Sequence, residues 1–239
     1  MRVGLVSAKG APGATTAALA LAAVAEDGVM VELDPSGGSV ECWTGTPGEP
    51  GLLLAASGLR RSVGAEELLS HAVEVPPGVR SLLAPSAGDL AESAVMASGG
   101  LLQSLAAFAG FVFVDAGRWS GSQPTSRRVA GCDLLCVVCS PTVAGVEAAR
   151  WLVAPLTEIG EAPVVLILAG ARSYTAAEVE EAVGVRAIGE LAWDPRGVNS
   201  LVTAGAGRGW SRSSLARSAR TLHDSLHPAL AQHTAVARA

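Results

Sequence analysis

The sequence predicts an α/β protein built on a mainly parallel sheet with helices on both faces, and three observations carry that expectation. Short apolar runs alternate with helical patterns from the first residues onward, and most of the links between them are short. The composition is 49% hydrophobic, 16% charged and only 4% aromatic, with 28 glycines. Such small apolar content suits helices packed tightly on a buried sheet. A length of 239 residues fits one α/β domain spanning 1–239, with 208–239 as a C-terminal helix and tail, better than two small domains.

The elements follow in order. Arg2 to Val6 reads as a strand, Thr15 to Glu26 as an alanine-rich helix closed by Asp27-Gly28, and Val29 to Leu33 as a second strand ending at Asp34-Pro35. This is a βαβ unit. Ser36 to Gly51, rich in Gly, Pro, Ser and Thr, reads as a long loop placed where such folds carry active-site loops. Leu52 to Ser57 and Glu66 to His71 read as short helices, Val79 to Ala84 as a strand, and Asp89 to Phe108 as a helix weakened at Gly99-Gly100. Strands follow at Phe111 to Val114, Leu134 to Cys139, Val164 to Leu168 and Ala187 to Leu191. Helices follow at Val143 to Leu156, Ala176 to Val183 and Leu215 to Leu230.

Charge and cysteine usage narrow the function. A formal net charge of −5 argues against a protein that coats nucleic acid generally. The segment from Arg208 to Arg238 holds five arginines against Asp224 alone, which reads as a solvated helix face. Cys136 and Cys139, in DLLCVVCS, fall on opposite faces of a strand; with Cys42 and Cys132 they read as reduced thiols rather than a zinc site. No apolar run approaches eighteen residues and no leader pattern opens the chain, so the expectation is a cytoplasmic protein without stable membrane insertion.

The stretch VSAKGAPGATT, Val6 to Thr16, leaves the first strand and enters the first helix. A loop there aims backbone N–H groups at one point, and the helix dipole adds positive charge, so it forms an anion site. Gly10 and Gly13 allow the curl, Pro12 stiffens it, and Thr15 offers a hydroxyl to Mg²⁺. A dinucleotide reading, with Gly10, Gly13 and Asp34 as the ribose acceptor, lacks the G-x-G opening. It also lacks a Tyr-x-x-x-Lys pair, since Tyr174, the only tyrosine, has no such lysine after it.

Lys9-Gly10-Ala11-Pro12-Gly13-Ala14-Thr15-Thr16 resembles the deviant Walker A motif, KGGxGKTT, of the ParA/MinD family. Glu32-Leu33-Asp34-Pro35-Ser36-Gly37-Gly38 is similar to that family's D-x-D-P-Q-G-N segment, and FVFVDAG, containing Asp115, is similar to its Walker B strand. CDLLCVVCSPTVAGVEAAR and IGELAWDPR resemble later segments, so the matches fall in family order over roughly residues 1 to 230. A more distant likeness is to the CpaE/TadZ pilus-localisation proteins.

The resemblance implies a three-layer, P-loop NTPase-like fold of the SIMIBI type, with ATP and Mg²⁺ as cofactors. Lys9, Gly10, Ala11, Gly13, Ala14, Thr15 and Thr16 would form the nucleotide loop. Lys9, the only lysine in the chain, would reach across a homodimer to the partner's phosphates. Thr15 would ligate Mg²⁺, Asp115 would hold it through water, and Asp34 would orient the attacking water near the metal. Ala14 stands where the family has its intramolecular lysine, so hydrolysis is expected to be weak or absent. Ala169-Gly170 stands where the family has an adenine-reading Asn.

Two expectations result. One is a cytoplasmic, nucleotide-sensitive homodimer that positions cargo such as DNA or a division, pilus or secretion complex, through a protein partner or adaptor. The alternative is a pseudo-ATPase scaffold that binds no nucleotide. Arg60-Arg61 and Arg127-Arg128 read as solubilising surface pairs that leave non-specific DNA contact open. Leu215, Leu222, Leu226 and Leu230 form a stripe that reads as docking on the chain's own core rather than on a membrane.

Overall fold

The computed structural model describes residues 1–7, 13–61, 63–119, 128–159, 162–170, 173–205 and 207–236. Eight strands are ordered β3-β4-β2-β5-β1-β6-β7-β8. They are β1 (Arg2–Ser7), β2 (Val29–Glu32), β3 (Val73–Val75), β4 (Val79–Leu82), β5 (Val112–Arg118), β6 (Leu134–Cys139), β7 (Val164–Ala169) and β8 (Ala187–Leu191). Every pairing is parallel except the β3–β4 edge hairpin. The predicted mainly parallel α/β architecture is the one observed.

The strands carry two cores because successive side chains face opposite ways. On one face Leu5, Met30, Phe113, Cys136 and Ile167 pack with Leu19 and Leu21 of α1 (Ala14–Val24). On the other, Val31, Val114, Val137 and Leu168 pack with Leu52 of α3 (Gly51–Gly58), which follows α2 (Val40–Thr44). Cys136 and Cys139 belong to opposite faces, and all four cysteines are free. Among the described residues no His/Cys/Asp/Glu group of three or more forms a metal site.

Several short elements escape sequence periodicity. The expected loop after β2 contains α2, and α4 (Ala65–Leu69) is followed by the three-residue strand β3. Gly99-Gly100 divides the expected long helix into α5 (Gly88–Ala97) and α6 (Leu101–Ser104), with Gly100 at φ 94°. After α7 (Val143–Ile159) and α8 (Ala176–Val183), two unforeseen helices follow β8: α9 (Pro195–Val202) and α10 (Gly207–Arg212).

The closing helix α11 (Ser214–Val236) lies on the first core, where Leu215, Leu222 and Leu226 are fully buried. Its leucine stripe therefore docks on the protein, as the pattern predicts. Arg212, Arg217 and Arg220 stay on the solvent side. No described helix is long and apolar enough to cross a membrane.

Candidate functional site

The carboxyl ends of β1, β2 and β5 converge on one spot, and the sequence places acids there. Glu32 and Asp115 are register partners on adjacent strands, so their side chains share a face. Both are 1% exposed. Asp34 follows two residues after Glu32, half-buried, with its Oδ1 accepting from the Ser36 backbone N–H at 2.9 Å. Three carboxylates thus lie at one end of the sheet.

Glu32 holds neighbouring backbone together. Its Oε1 accepts from the backbone N–H groups of Ser39 (2.9 Å) and Val40 (3.1 Å), and its Oε2 accepts from that of Ala84 (3.1 Å). The carboxylate therefore clasps the start of α2 and the end of β4 to β2. Burial lifts its pKa to about 7; the three N–H donors oppose the rise and neighbouring Asp115 adds to it.

Asp115 is held by different contacts. Burial raises its pKa to about 6, against the Thr15 hydroxyl and the Gly117 N–H, both of which hydrogen-bond to it, with Asp34 adding to the rise and Arg128 opposing it. The Gly117 bond is 3.0 Å. Thr15 and Asp115 are thus brought together, as the motif reading requires. Beyond Asp115 the β1–β5 register slips, Leu5 facing Asp115 but Ser7 facing Arg118, which inserts one extra residue in β5. Gly117 sits in that bulge at φ 63°, and a β-carbon there would land inside the Asp34 carboxyl group. Glycine is needed for both reasons.

The helix that faces these acids begins without a cap. Gly13, at φ 93°, is the N-cap of α1, no side chain caps the helix, and its first turn carries no acid. Free N–H groups and the dipole leave that end suited to an anion. Thr16 and Gly13 line a cleft of about 330 Å³ that continues past Gly170 to Trp193, Pro195 and Val198. Ala14 is the first residue of α1 and packs into the first core. Lys9, Gly10 and Ala11, like Pro12, lie outside the described residues.

These residues fit a phosphate-bearing group. The uncapped helix end would receive phosphate oxygens, and Thr15 with Asp115 has the oxygen donors that a magnesium ion takes. Ala14 contributes no charge.

Sequence reasoning misses several contributors. Asp194 accepts from the Gly197 N–H (2.8 Å), the Ser214 N–H (2.9 Å) and the Ser214 hydroxyl (2.8 Å), latching α9 to α11 behind the cleft. These bonds, that from Gly197 foremost, hold its carboxyl below the usual range. The signal was present as Asp-Pro, an N-cap followed by an N1 proline. Arg128 requires a correction: it is no surface residue but 1% exposed. A buried guanidinium cannot take part in DNA contact or solubilise a surface, and Arg127 lies outside the described residues.

No protein-family model and no curated protein matches the sequence. Solved structures do match. A ParA family ATPase from Chlorobium tepidum TLS superposes with a TM-score of 0.77 at 18% identity, covering 95% of this chain and 98% of that one. The septum site-determining protein MinD from Pyrococcus horikoshii OT3, complexed with Mg-ADP, gives 0.73 at 16% identity over 94% and 95%. A MinC:MinD cell division protein complex from Aquifex aeolicus gives 0.69 at 14% identity over 95% of each chain. Over nearly its whole length, the chain has the α/β fold of the ParA and MinD ATPases.

Proposed function

We propose that this protein is a ParA/MinD-like P-loop protein that binds ATP, hydrolyses it weakly or not at all, and acts as a nucleotide-sensitive homodimer positioning a cargo through a protein partner. The observation that carries the reading is the meeting of Thr15 and Asp115 beneath the uncapped start of α1. The Mg-ADP of the Pyrococcus protein and the MinC partner of the Aquifex protein are consistent with it.

In this reading the first-turn N–H groups of α1 bind phosphate oxygens and Thr16 approaches the phosphate nearest the base cleft. Thr15 and Asp115 would hold Mg²⁺, which when bound offsets phosphate charge. Asp34 would orient water, in the space that Gly117 leaves by having no β-carbon. Ala14 supplies none of the charge stabilisation on which phosphoryl transfer depends, and so turnover is slow. Lys9, from a partner protomer, is the lysine left to supply it. The cytoplasm, where nucleotide is abundant, is the compartment this reading assigns.

The second reading, a scaffold that binds no nucleotide, is favoured by Ala14 lying in the core. Calorimetric titration with Mg²⁺-ATP, with mass followed by light scattering, separates the two. Binding heat and a doubling of mass are expected. An absence of heat at millimolar nucleotide would sink the nucleotide reading. Lys9→Ala is expected to abolish the dimer while sparing monomer binding, and an unchanged dimer would remove Lys9 from the mechanism.

A further inference from the structure

The cleft beside the start of α1 presents a large aromatic side chain that the core does not use. Trp193, between β8 and α9, is 77% exposed, the most of any large hydrophobic residue among those described. Its backbone is nevertheless fixed on both sides. The Ala192 N–H donates to the Ser218 hydroxyl at 3.0 Å, Asp194 is latched to Gly197 and Ser214, and Pro195 opens α9. An indole carried on pinned backbone has only two side-chain torsions to give up when a flat ring lies on it.

The rest of the cleft is poor in groups that tell one base from another. At about 330 Å³ it stands at the low end of the range of about 300–1,000 Å³ for small-ligand sites, and it runs from Gly13 and Thr16 to Trp193. Separating adenine from guanine takes a donor and an acceptor side by side, as a side-chain amide provides. Among the described residues no Asn or Gln lines the cleft, and Gly170 brings no side chain. Its one carboxylate, Asp194, is already taken by the N–H groups of Gly197 and Ser214 and by the Ser214 hydroxyl. Trp193 offers a ring face, on which any base can stack, and an N–H that can only donate.

We propose that Trp193 is the stacking platform for the base of a purine nucleoside triphosphate, and that this site takes adenine and guanine alike. The triphosphate part of the ligand rests on the nucleotide reading above; the base part rests on Trp193 and the cleft.

The test uses the full chain in excess Mg²⁺, titrated calorimetrically with ATP, GTP and inorganic tripolyphosphate. The dissociation constants for ATP and GTP are expected to agree within about threefold, with tripolyphosphate weaker by about tenfold. Preference for either purine by about tenfold or more overturns the shared site. Trp193→Ala should weaken ATP and GTP equally, by about tenfold, and leave tripolyphosphate within about twofold, whereas Trp193→Phe should keep ATP within about threefold of the wild type. Unchanged ATP affinity in Trp193→Ala removes the platform. Should Trp193→Ala lose tripolyphosphate as well, Trp193→Leu, apolar but without a ring, replaces it under the same criteria, and loss of tripolyphosphate there too overturns the platform. Tripolyphosphate binding as tightly as ATP in the wild type leaves the phosphate site standing and overturns the proposal. Binding of neither overturns the nucleotide reading and the proposal together.

Discussion

Glu32 and Asp115 make stability fall as pH rises across the mildly acidic range, opposite to the usual behaviour of paired carboxylates. Burial raises Glu32 from 4.5 to about 7 and Asp115 from 3.8 to about 6. A carboxyl group with a raised folded pKa binds its proton more tightly in the native state. Its stabilising contribution is complete below the unfolded value and is lost as pH passes the folded value. At about 1.4 kcal/mol per pKa unit, each group is worth about 3 kcal/mol, and while both titrate the slope reaches about −3 kcal/mol per pH unit. Asp133 opposes this: burial pushes it up, but its hydrogen bonds with Arg2 hold it below the usual range, so its contribution disappears in stronger acid. Urea unfolding, followed by tryptophan fluorescence at several values between pH 4.5 and pH 8, reads the effect. Stability is expected to be greatest near the acid end of that window and to drop by several kcal/mol toward its alkaline end. Glu32→Gln should remove about half of the slope, leaving the part due to Asp115. Flat or rising stability over that window would refute the assignment of both raised values.

Gly117→Ala should lower the melting temperature by about 4 °C or more, since a positive φ at alanine costs about 1–3 kcal/mol and the new methyl collides with Asp34. Adding Asp34→Gly, which also removes the β-carbon 2.6 Å from the new methyl, should recover the collision part, and thermal melts of both variants check it. Leu222→Ala should destabilise by about 2–5 kcal/mol in urea unfolding, because Leu222 is fully buried; a loss under about 0.5 kcal/mol would return the closing helix to the surface. Asp194→Ala should cost about 1–2 kcal/mol through its lost capping bonds, and faster amide exchange should be confined to α9 and the start of α11.

The sheet was legible because each central strand is a dense apolar run whose neighbours face opposite cores, and LLCVVC shows the rule at full burial. The same density hides what lies between the strands. VECWT is a five-residue helix too short to show a period, whereas PRGVNSLV does carry a local start signal in Asp194 followed by Pro195. Asp34, Asp115 and Thr15 stand out as candidates because strand-end acids beside a glycine loop have a recognisable order. Glu32 was recognised as an acid there, but its three N–H partners come from residues 39, 40 and 84 and no local pattern reports them. Arg128 was misread for a similar reason. An arginine pair before an apolar strand looks like solvent, and only the bulge at Gly117 reveals the carbonyls that hold Arg128.

That misreading bears on the loop that resembles a Walker A motif. A site with Ala14 looks merely stripped of charge if only the loop is inspected. The fold adds a buried cation from the segment preceding β6, fixed to two carbonyls at the bulged end of β5. A lysine in the loop would be a mobile point charge able to follow a phosphate. Arg128 is a planar fork fixed to the carbonyls of Ala116 and Arg118 and shut away from solvent. Fixed charge of that kind cannot move with a departing phosphate. In the proposed reading, binding without rapid turnover has a physical origin in where positive charge is missing: Ala14 carries none that could follow a transferred phosphate.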